Sequence, residues 1–366
     1  MISWKLFSLR GIEVRLHWSL LLVFFLIILW GYFSTGQFDF ISVLMLVIVF
    51  GSVAFHELSH SLVARSMGIS IERILLLPIG GMAMMKENVF SPKKEFKMAI
   101  AGPMFNFALC ALLAMFIVFT EGQFFYSVDY ILALESLTLS PVALLAFTVS
   151  VAFWMNLALG LFNLVPAIPM DGGRVFRSLL AMKMEYLKAT RLATIISNFL
   201  MIGLFLLGLT YNWWWSLIAL FILFASRAEL EVTVSNRLLQ KFPLTKLVRQ
   251  EYLVVEEGDS LDQVIQDMIA SRSIVAFSKK NHTINSVSLY DIQNIPKKEW
   301  KKINFHDISK EQHPVTEDHP ASFALNKMNE LNLEALPVID VNHEIVGCVF
   351  RKDVSTVLQI LKVSKL

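Results

Sequence analysis

Residues 40–66 have the sequence FISVLMLVIVFGSVAFHELSHSLVARS. About 20 apolar residues in a helix cross the roughly 30 Å hydrocarbon core of a bilayer, and this run is long enough to do so. Its second half nevertheless contains His56, Glu57 and His60. Ionisable side chains inside a membrane span are costly and in general functional. The stretch therefore predicts a membrane helix that carries a polar functional site.

The spacing of these residues indicates a metal site. His56 and His60 are four residues apart, so they share one face of a helix. Both imidazoles can then bind one Zn²⁺ at roughly 2.0–2.1 Å, while Glu57 can reach a metal-bound water as general base. Buried polar residues that only stabilise a helix bundle are the alternative, but three of them at ligand spacing favour a metal. The spacing does not separate a protease from a metal transporter.

A third ligand is expected in residues 163–174, which have the sequence NLVPAIPMDGGR. Catalytic zinc sites usually take three protein ligands and leave the fourth position to water. Pro166 and Pro169 should end the preceding helix, and the paired glycines after Asp171 allow close backbone approach. We predict that Asp171 lies on an irregular segment at membrane depth, which is tolerated where it faces a cavity. Alternatively, Asp171 could only cap the helix that follows.

The composition predicts a polytopic membrane domain. Hydrophobic residues make up 55% and charged residues 17% of the 366 residues, which is too apolar for a soluble chain of this length. The net charge of +2 gives no indication of nucleic-acid binding, and Cys110 and Cys348 suggest no disulfide framework. Six membrane-spanning helices are predicted from the apolar runs at about 17–35, 40–66, 97–120, 141–165, 192–210 and 213–226.

Basic residues predict how these spans are oriented, because short cytoplasmic loops are enriched in Lys and Arg. The N-terminal segment, the loop after the second span and the connection after the fourth span are all basic and fall on one side. The connections on the other side, at about 36–40, 121–140 and 211–213, contain no Lys or Arg. We expect a multi-pass protein of the cell membrane with both termini in the cytoplasm.

The His-Glu-x-x-His span, the Asn-x-x-Pro-x-x-Pro-x-Asp-Gly-Gly segment and their order resemble the site-2 protease family of intramembrane zinc metalloproteases. The resemblance covers roughly residues 1–227. It also includes LPIGG at 77–81 and AGPMFN at 101–106, both familiar in the branch of the family with six spans.

Carried over to this sequence, the resemblance implies one zinc ion per chain, held by His56, His60 and Asp171. Glu57 is then the catalytic base, and Asn163 steadies the substrate or the oxyanion. The apolar segment 74–85 is predicted to supply an extended edge that pairs with an unwound substrate by strand addition, although an ordinary buried loop remains open.

The C-terminal part has the composition of a soluble domain and contains two related units, at about 244–295 and 306–364. The second unit, with a helix predicted at 321–331 between short β-like runs, resembles a CBS domain. The first is a more degenerate match. The resemblance implies adenine-nucleotide binding, with Ser288, Asp291 and Asp353 as candidate residues. Phe350 replaces the Ser or Thr that normally precedes the acidic residue by three, so a dimerising or substrate-docking module without ligand remains the alternative.

The expected architecture is an α-helical polytopic membrane domain at 1–227, a linker at 228–243 and an α/β CBS-type module at 244–366, which could form a homodimer. The connection is expected to be helical at about 227–241. The expected function is that of a zinc endopeptidase that cleaves transmembrane protein substrates in the bilayer, as in regulated intramembrane proteolysis. A membrane metal transporter with a CBS tail is the alternative. Such a transporter should line several spans with polar ligands, and outside the motifs above the spans offer few.

Overall fold

The structure is a computed structural model that describes residues 3–35, 40–78, 80–85, 91–120, 141–280, 283–293, 295–312, 314–340 and 344–364, with the single residues 122 and 342. The chain divides into two compact units, Met1–Leu230 and Glu231–Leu366.

Long apolar helices form most of the first unit. They are α1 (Trp18–Thr35), α2 (Phe40–Ser66), α3 (Pro92–Phe119), α4 (Pro141–Asn163), the shorter α5 (Asp171–Ala181), α6 (Tyr186–Tyr211) and α7 (Trp213–Gln240). Large side chains such as Phe25, Trp30, Phe119 and Phe199 point outward from these helices. That exposure would be unfavourable in water, whereas lipid is as apolar as the side chains themselves.

Among the described residues, four helices are long and apolar enough to cross a membrane: α2, α3, α6 and Leu144–Asn163 of α4. Trp18–Phe33 of α1 is a shorter apolar helix. The predicted count of six spans is therefore not confirmed. The sixth predicted span is part of α7, which continues to Gln240 and so includes most of the segment that we expected to be a linker.

A four-stranded sheet accompanies the helices, formed by β1 (Ser3–Leu9), β2 (Ile12–His17), β3 (Ile71–Leu77) and β4 (Gly80–Met85) in this order. β2 and β3 are parallel, and the other neighbours are antiparallel. The predicted extended segment 74–85 thus contains the second half of β3 and all of β4. Because β4 is the last strand of the sheet, no other strand in the described part of the chain pairs with one side of its backbone.

Helix α3 lies at the centre of the bundle, because it packs against α2, α4 and α5. Gly160 of α4 makes one of these contacts possible. A Cβ at this position would be 3.1 Å from the Phe107 ring and 3.3 Å from Asn106 Cβ. The arrangement brings α3 alongside the histidines of α2 and the aspartate of α5.

The second unit contains two sheets with helices. The first sheet has the order β5 (Leu253–Val254), β6 (Val275–Lys280), β7 (Thr283–Ser288) and β8 (Lys310–Gln312), and the second has β11 (Ile345–Phe350), β10 (Ala335–Ile339) and β9 (Val315–Thr316). The helices are α8 (Leu261–Ser271), α9 (Leu289–Ile292), α10 (Phe305–Ile308), α11 (Ala321–Leu331) and α12 (Arg351–Val363). The predicted helix 321–331 is α11.

The two halves of this unit share a core. One cluster of buried side chains combines Val275 and Phe277 from β6 with Ala335 and Ile339 from β10. Leu239 at the end of α7 is fully buried in a second cluster, together with side chains of the C-terminal half. The two CBS-like halves therefore pack together as a single α/β module.

Candidate metal centre and active site

Two histidines of α2 form one side of the candidate metal centre. His56 is 3% and His60 8% exposed, so both are removed from solvent. Because they are one helical turn apart, their Nε2 atoms approach to 3.1 Å. Gly102 of α3 packs against both rings, since a Cβ there would be 2.3 Å from His60 Nε2.

Asp171 completes the group from a different part of the chain. Its Oδ2 lies 3.0 Å from His56 Nε2 and 3.1 Å from His60 Nε2. The loop that delivers it folds back on α5, because a Cβ at Gly172 would be 2.2 Å from Leu164 O and one at Gly173 would be 2.5 Å from Ile168 N. These close approaches require glycine at both positions.

Our prediction that Asp171 lies on an irregular segment is wrong in one respect: Asp171 is the first residue of α5, and the irregular segment ends at Met170. The N-cap of α5 is Met170, and its side chain makes no capping hydrogen bond. The Asp171 side chain is directed at the histidines. The start of a helix is a favourable position for a carboxylate, because the helix dipole is positive there.

The three groups fit a zinc ion. One ligand atom from each of His56, His60 and Asp171 lies within 4.8 Å of the other two. Tetrahedral ligands bonded at roughly 2.0–2.1 Å are about 3.3 Å apart, close to the separations found here. Two imidazoles and a carboxylate also match the donor set of catalytic zinc sites, in which a fourth position stays open for water.

The Nδ1 atoms of the two imidazole rings also have hydrogen-bond partners. His56 Nδ1 lies 2.5 Å from Asn106 Oδ1, and His60 Nδ1 lies 2.7 Å from Met98 O. Since both partners are hydrogen-bond acceptors, Nδ1 of each ring donates to its partner and Nε2 of each ring faces the centre. This outer contact is a usual feature of metal-binding histidines.

A cavity of about 730 Å³ opens on the centre. Glu57 and Asn163, the last residue of α4, both line it together with the three candidate ligands. The structure thus brings all five residues singled out in the sequence to one place. Strand β4 forms part of the wall beside Glu57, because a Cβ at Gly81 would be 2.2 Å from Glu57 Cγ.

A buried ionic cluster behind the site was missed in the sequence. Arg177 of α5 is 4% exposed, and its guanidinium group donates to the Glu95 carboxylate of α3 with Nε at 2.8 Å. It also lies 3.4 Å from Glu229 of α7. In the sequence, Arg177 counted only as one of the basic residues that orient the connection after the fourth span. Six residues along a helix are about 240° apart around its axis, so the spacing from Asp171 gave no signal of this cluster.

The three CBS residues predicted to bind nucleotide do not lie together. Ser288 and Asp291 line a cavity of about 230 Å³ with Lys310, whereas Asp353 pairs with Arg249 and is not among its lining residues. Burial raises the pKa of the Asp291 carboxyl, but hydrogen bonds from Lys310 and Ser288 outweigh that effect and hold the pKa below its usual range. Asp291 is therefore an anion that already has two partners.

A buried His₂Asp group with a glutamate beside it, inside a bundle of lipid-compatible helices, is typical of a membrane-embedded metal-dependent hydrolase. Comparison with known proteins gives the family. The Peptidase family M50 model matches residues 44–207 and the CBS domain model matches residues 306–360.

A zinc metalloprotease of Methanocaldococcus jannaschii is 31% identical over 365 residues, covering 99% of this chain and 98% of that protein. Stage IV sporulation protein FB of Bacillus subtilis is 28% identical over 160 residues, covering 43% of this chain and 46% of that protein. A solved site-2 protease structure from Methanocaldococcus jannaschii is 34% identical, covers 62% of this chain and 95% of that chain, and has a TM-score of 0.44.

The chain belongs to peptidase family M50, the site-2 protease family, and is a membrane metalloprotease with a C-terminal CBS module. The transporter alternative is not supported.

Proposed function

We propose that the chain hydrolyses peptide bonds of transmembrane protein substrates, with zinc held by His56, His60 and Asp171 and with Glu57 as the catalytic base. The observation that carries this proposal is the convergence of three ligand atoms beside Glu57, in a cavity within the helix bundle.

Bound zinc supplies Lewis-acid activation of a water molecule and of the scissile carbonyl. Glu57 takes a proton from that water as the new C–O bond forms, and delivers a proton to the leaving amine as the C–N bond breaks. The products are a carboxylate and an amine. Asn163 lines the same cavity, which supports the proposal that it donates a hydrogen bond to the carbonyl oxygen as that oxygen gains negative charge.

Strand β4 supports a proposal for how the substrate is held. A transmembrane helix hides its carbonyls in internal hydrogen bonds, so it must unwind before water can attack. The free side of β4 can pair with the unwound segment by strand addition. Because Gly81 of β4 packs on Glu57, such pairing would hold the substrate backbone near the catalytic base.

The variants Glu57→Gln and Asp171→Ala test the roles of these residues. Glu57→Gln should abolish cleavage of a transmembrane substrate and keep zinc, whereas Asp171→Ala should lose both, because ligand loss weakens metal binding. The control is Glu72→Gln, at an exposed position of β3, which should retain both. Full zinc occupancy and full activity in Asp171→Ala would remove Asp171 from the site.

We also propose that both termini and the CBS module are cytoplasmic, on the evidence of the Lys and Arg distribution. Single cysteines at Gly122 and Lys298 test this orientation. An impermeant thiol reagent should label Gly122→Cys on intact cells. It should label Lys298→Cys only after the cells have been permeabilised. Labelling of Lys298→Cys on intact cells contradicts the orientation.

The CBS module is proposed to bind an adenine nucleotide at Ser288 and Asp291 and to alter cleavage. The cavity beside them is smaller than the roughly 300–1,000 Å³ of most ligand sites, so binding requires the Asp291–Lys310 pair to part. A differential affinity worth about 1–3 kcal/mol would change activity by roughly 5–150-fold.

Calorimetry with ATP and AMP on the full chain should detect binding that Asp291→Asn weakens and Asp353→Asn does not, because Asp353 lies outside that cavity. The rate of cleavage should change with the same nucleotide. If neither nucleotide binds, the docking or homodimer function replaces this proposal, and the mass of the purified protein in detergent would identify a dimer.

A further inference from the structure

A series of buried hydrogen bonds leads away from His56 into the bundle. Asn106 of α3, which contacts His56 Nδ1 through Oδ1, donates from Nδ2 to Asn156 Oδ1 of α4 at 2.9 Å. Asn156 Nδ2 then donates to Ser52 Oγ of α2 at 2.9 Å. Both asparagines are 0% exposed. The series therefore links three helices through buried polar side chains.

Backbone carbonyls at the far end fix the direction of every bond. Ser52 Oγ donates to Ile48 O at 2.9 Å, and Asn156 Nδ2 donates its other hydrogen to Ala152 O at 2.8 Å. Carbonyl oxygens can only accept. The amino group of Asn156 must therefore face Ser52 and Ala152, which leaves Asn156 Oδ1 to accept.

The same logic continues to the histidine. Since Asn156 Oδ1 can only accept, Asn106 must present its Nδ2 to Asn156 and its Oδ1 to His56. His56 must then donate from Nδ1, which leaves Nε2 as the ring nitrogen that faces Asp171 and is available to a metal ion. If the Asn106 amide were reversed, its amino group would face His56 and favour the opposite tautomer, in which Nε2 carries a proton and cannot bind metal.

We propose that Asn156 is a positioning residue that fixes the metal-binding tautomer of His56 through Asn106, although Asn156 has no contact with the metal centre. The inference rests on the proposed role of His56 as a zinc ligand. Removing an outer partner of a metal-bound histidine typically weakens metal affinity by roughly 10–100-fold. A purely structural asparagine at this place would affect stability and leave the affinity for zinc unchanged.

Two substitutions of Asn156 separate these roles. Asn156→Asp keeps an acceptor for Asn106 Nδ2 but introduces a buried carboxylate, which destabilises a membrane bundle. Asn156→Leu fills the same space without an acceptor and removes a polar group. We expect the leucine variant to be the more stable of the two when metal-free, and the aspartate variant to bind zinc more tightly.

Chelator competition gives the zinc affinity, and thermal unfolding of the metal-free protein gives the stability. We expect roughly 10–100-fold weaker zinc binding in Asn156→Leu and a smaller loss in Asn156→Asp. The matched control is Asn198→Leu on α6, whose Oδ1 has no hydrogen-bond partner among the described atoms, and it should bind zinc like the unchanged protein. The inference is overturned if the more stable of the two Asn156 variants also binds zinc more tightly. It is equally overturned if Asn156→Leu binds zinc as tightly as the unchanged protein.

A measurement on the unsubstituted protein remains decisive if a variant does not fold. The ¹⁵N spectrum of metal-free protein with labelled histidine should show a proton on Nδ1 of His56, with the signal assigned through its loss in His56→Gln, and an Nδ1 that carries no proton overturns the inference. Failure of the proposed function itself would look different, because His56→Gln would then retain full zinc affinity.

Discussion

Replacing Gly102 by alanine should place a methyl group in the metal centre. The Cβ would lie 2.3 Å from His60 Nε2 and 2.6 Å from His56 Nε2. Non-bonded carbon contacts are favourable at about 3.5–4.0 Å, so each ring must move by roughly 1 Å. The rings have little freedom to do so, because their Nδ1 atoms are hydrogen-bonded to Asn106 and to Met98 O.

The expected cost falls on zinc binding more than on folding. An added methyl group in a packed core costs typically about 1–3 kcal/mol, which a folded bundle can tolerate. A metal site requires ligand distances within about 0.2 Å of their ideal values, so a displacement of roughly 1 Å removes at least one ligand. We expect Gly102→Ala to purify as a folded protein with far less than one zinc ion per chain and without proteolytic activity.

Metal analysis and circular dichroism of the purified variant provide the assay. The matched control is Gly203→Ala in α6, where a Cβ would have nothing within 4 Å, and this variant should keep both zinc and activity. If Gly102→Ala retains one zinc ion per chain and normal activity, then the rings are freer than the hydrogen bonds imply and the packing argument is refuted.

Gly81→Ala should reduce the rate of cleavage and retain zinc, because its Cβ would lie 2.2 Å from Glu57 Cγ and displace the base instead of the ligands; loss of zinc would contradict this. Glu95→Gln leaves the buried Arg177 without its closest charge, and loss of such a partner costs about 3–5 kcal/mol. The midpoint temperature of thermal unfolding in detergent should therefore be much lower for this variant than for the unchanged protein. In the CBS module, Cys348 is fully buried and burial raises the pKa of its thiol to about 12, so a thiol reagent should modify it only after unfolding, as peptide mapping can show.

Features that depend on near neighbours in the chain could be predicted well. His56 and His60 share a face because the helical repeat places residues four apart together. Helix α11 agrees with the predicted bounds of 321–331, and long apolar runs became helices. The end of α7 at Gln240 agrees with the helix expected at about 227–241, but the burial of Leu239 could not be predicted, because it depends on a core formed by residues far along the chain.

The sequence by itself determined that this chain has apolar helices, a His-Glu-x-x-His face and a candidate third ligand, because periodicity and composition act locally. Only the tertiary structure decided that Asp171 Oδ2 meets both histidines across a separation of 115 residues from His56. It also decided that Asn106 and Asn156 form a series of hydrogen bonds that begins at His56 Nδ1. Asparagine in an apolar helix gives no sign of its partner, since the direction of its hydrogen bonds is set by whichever helices pack against it.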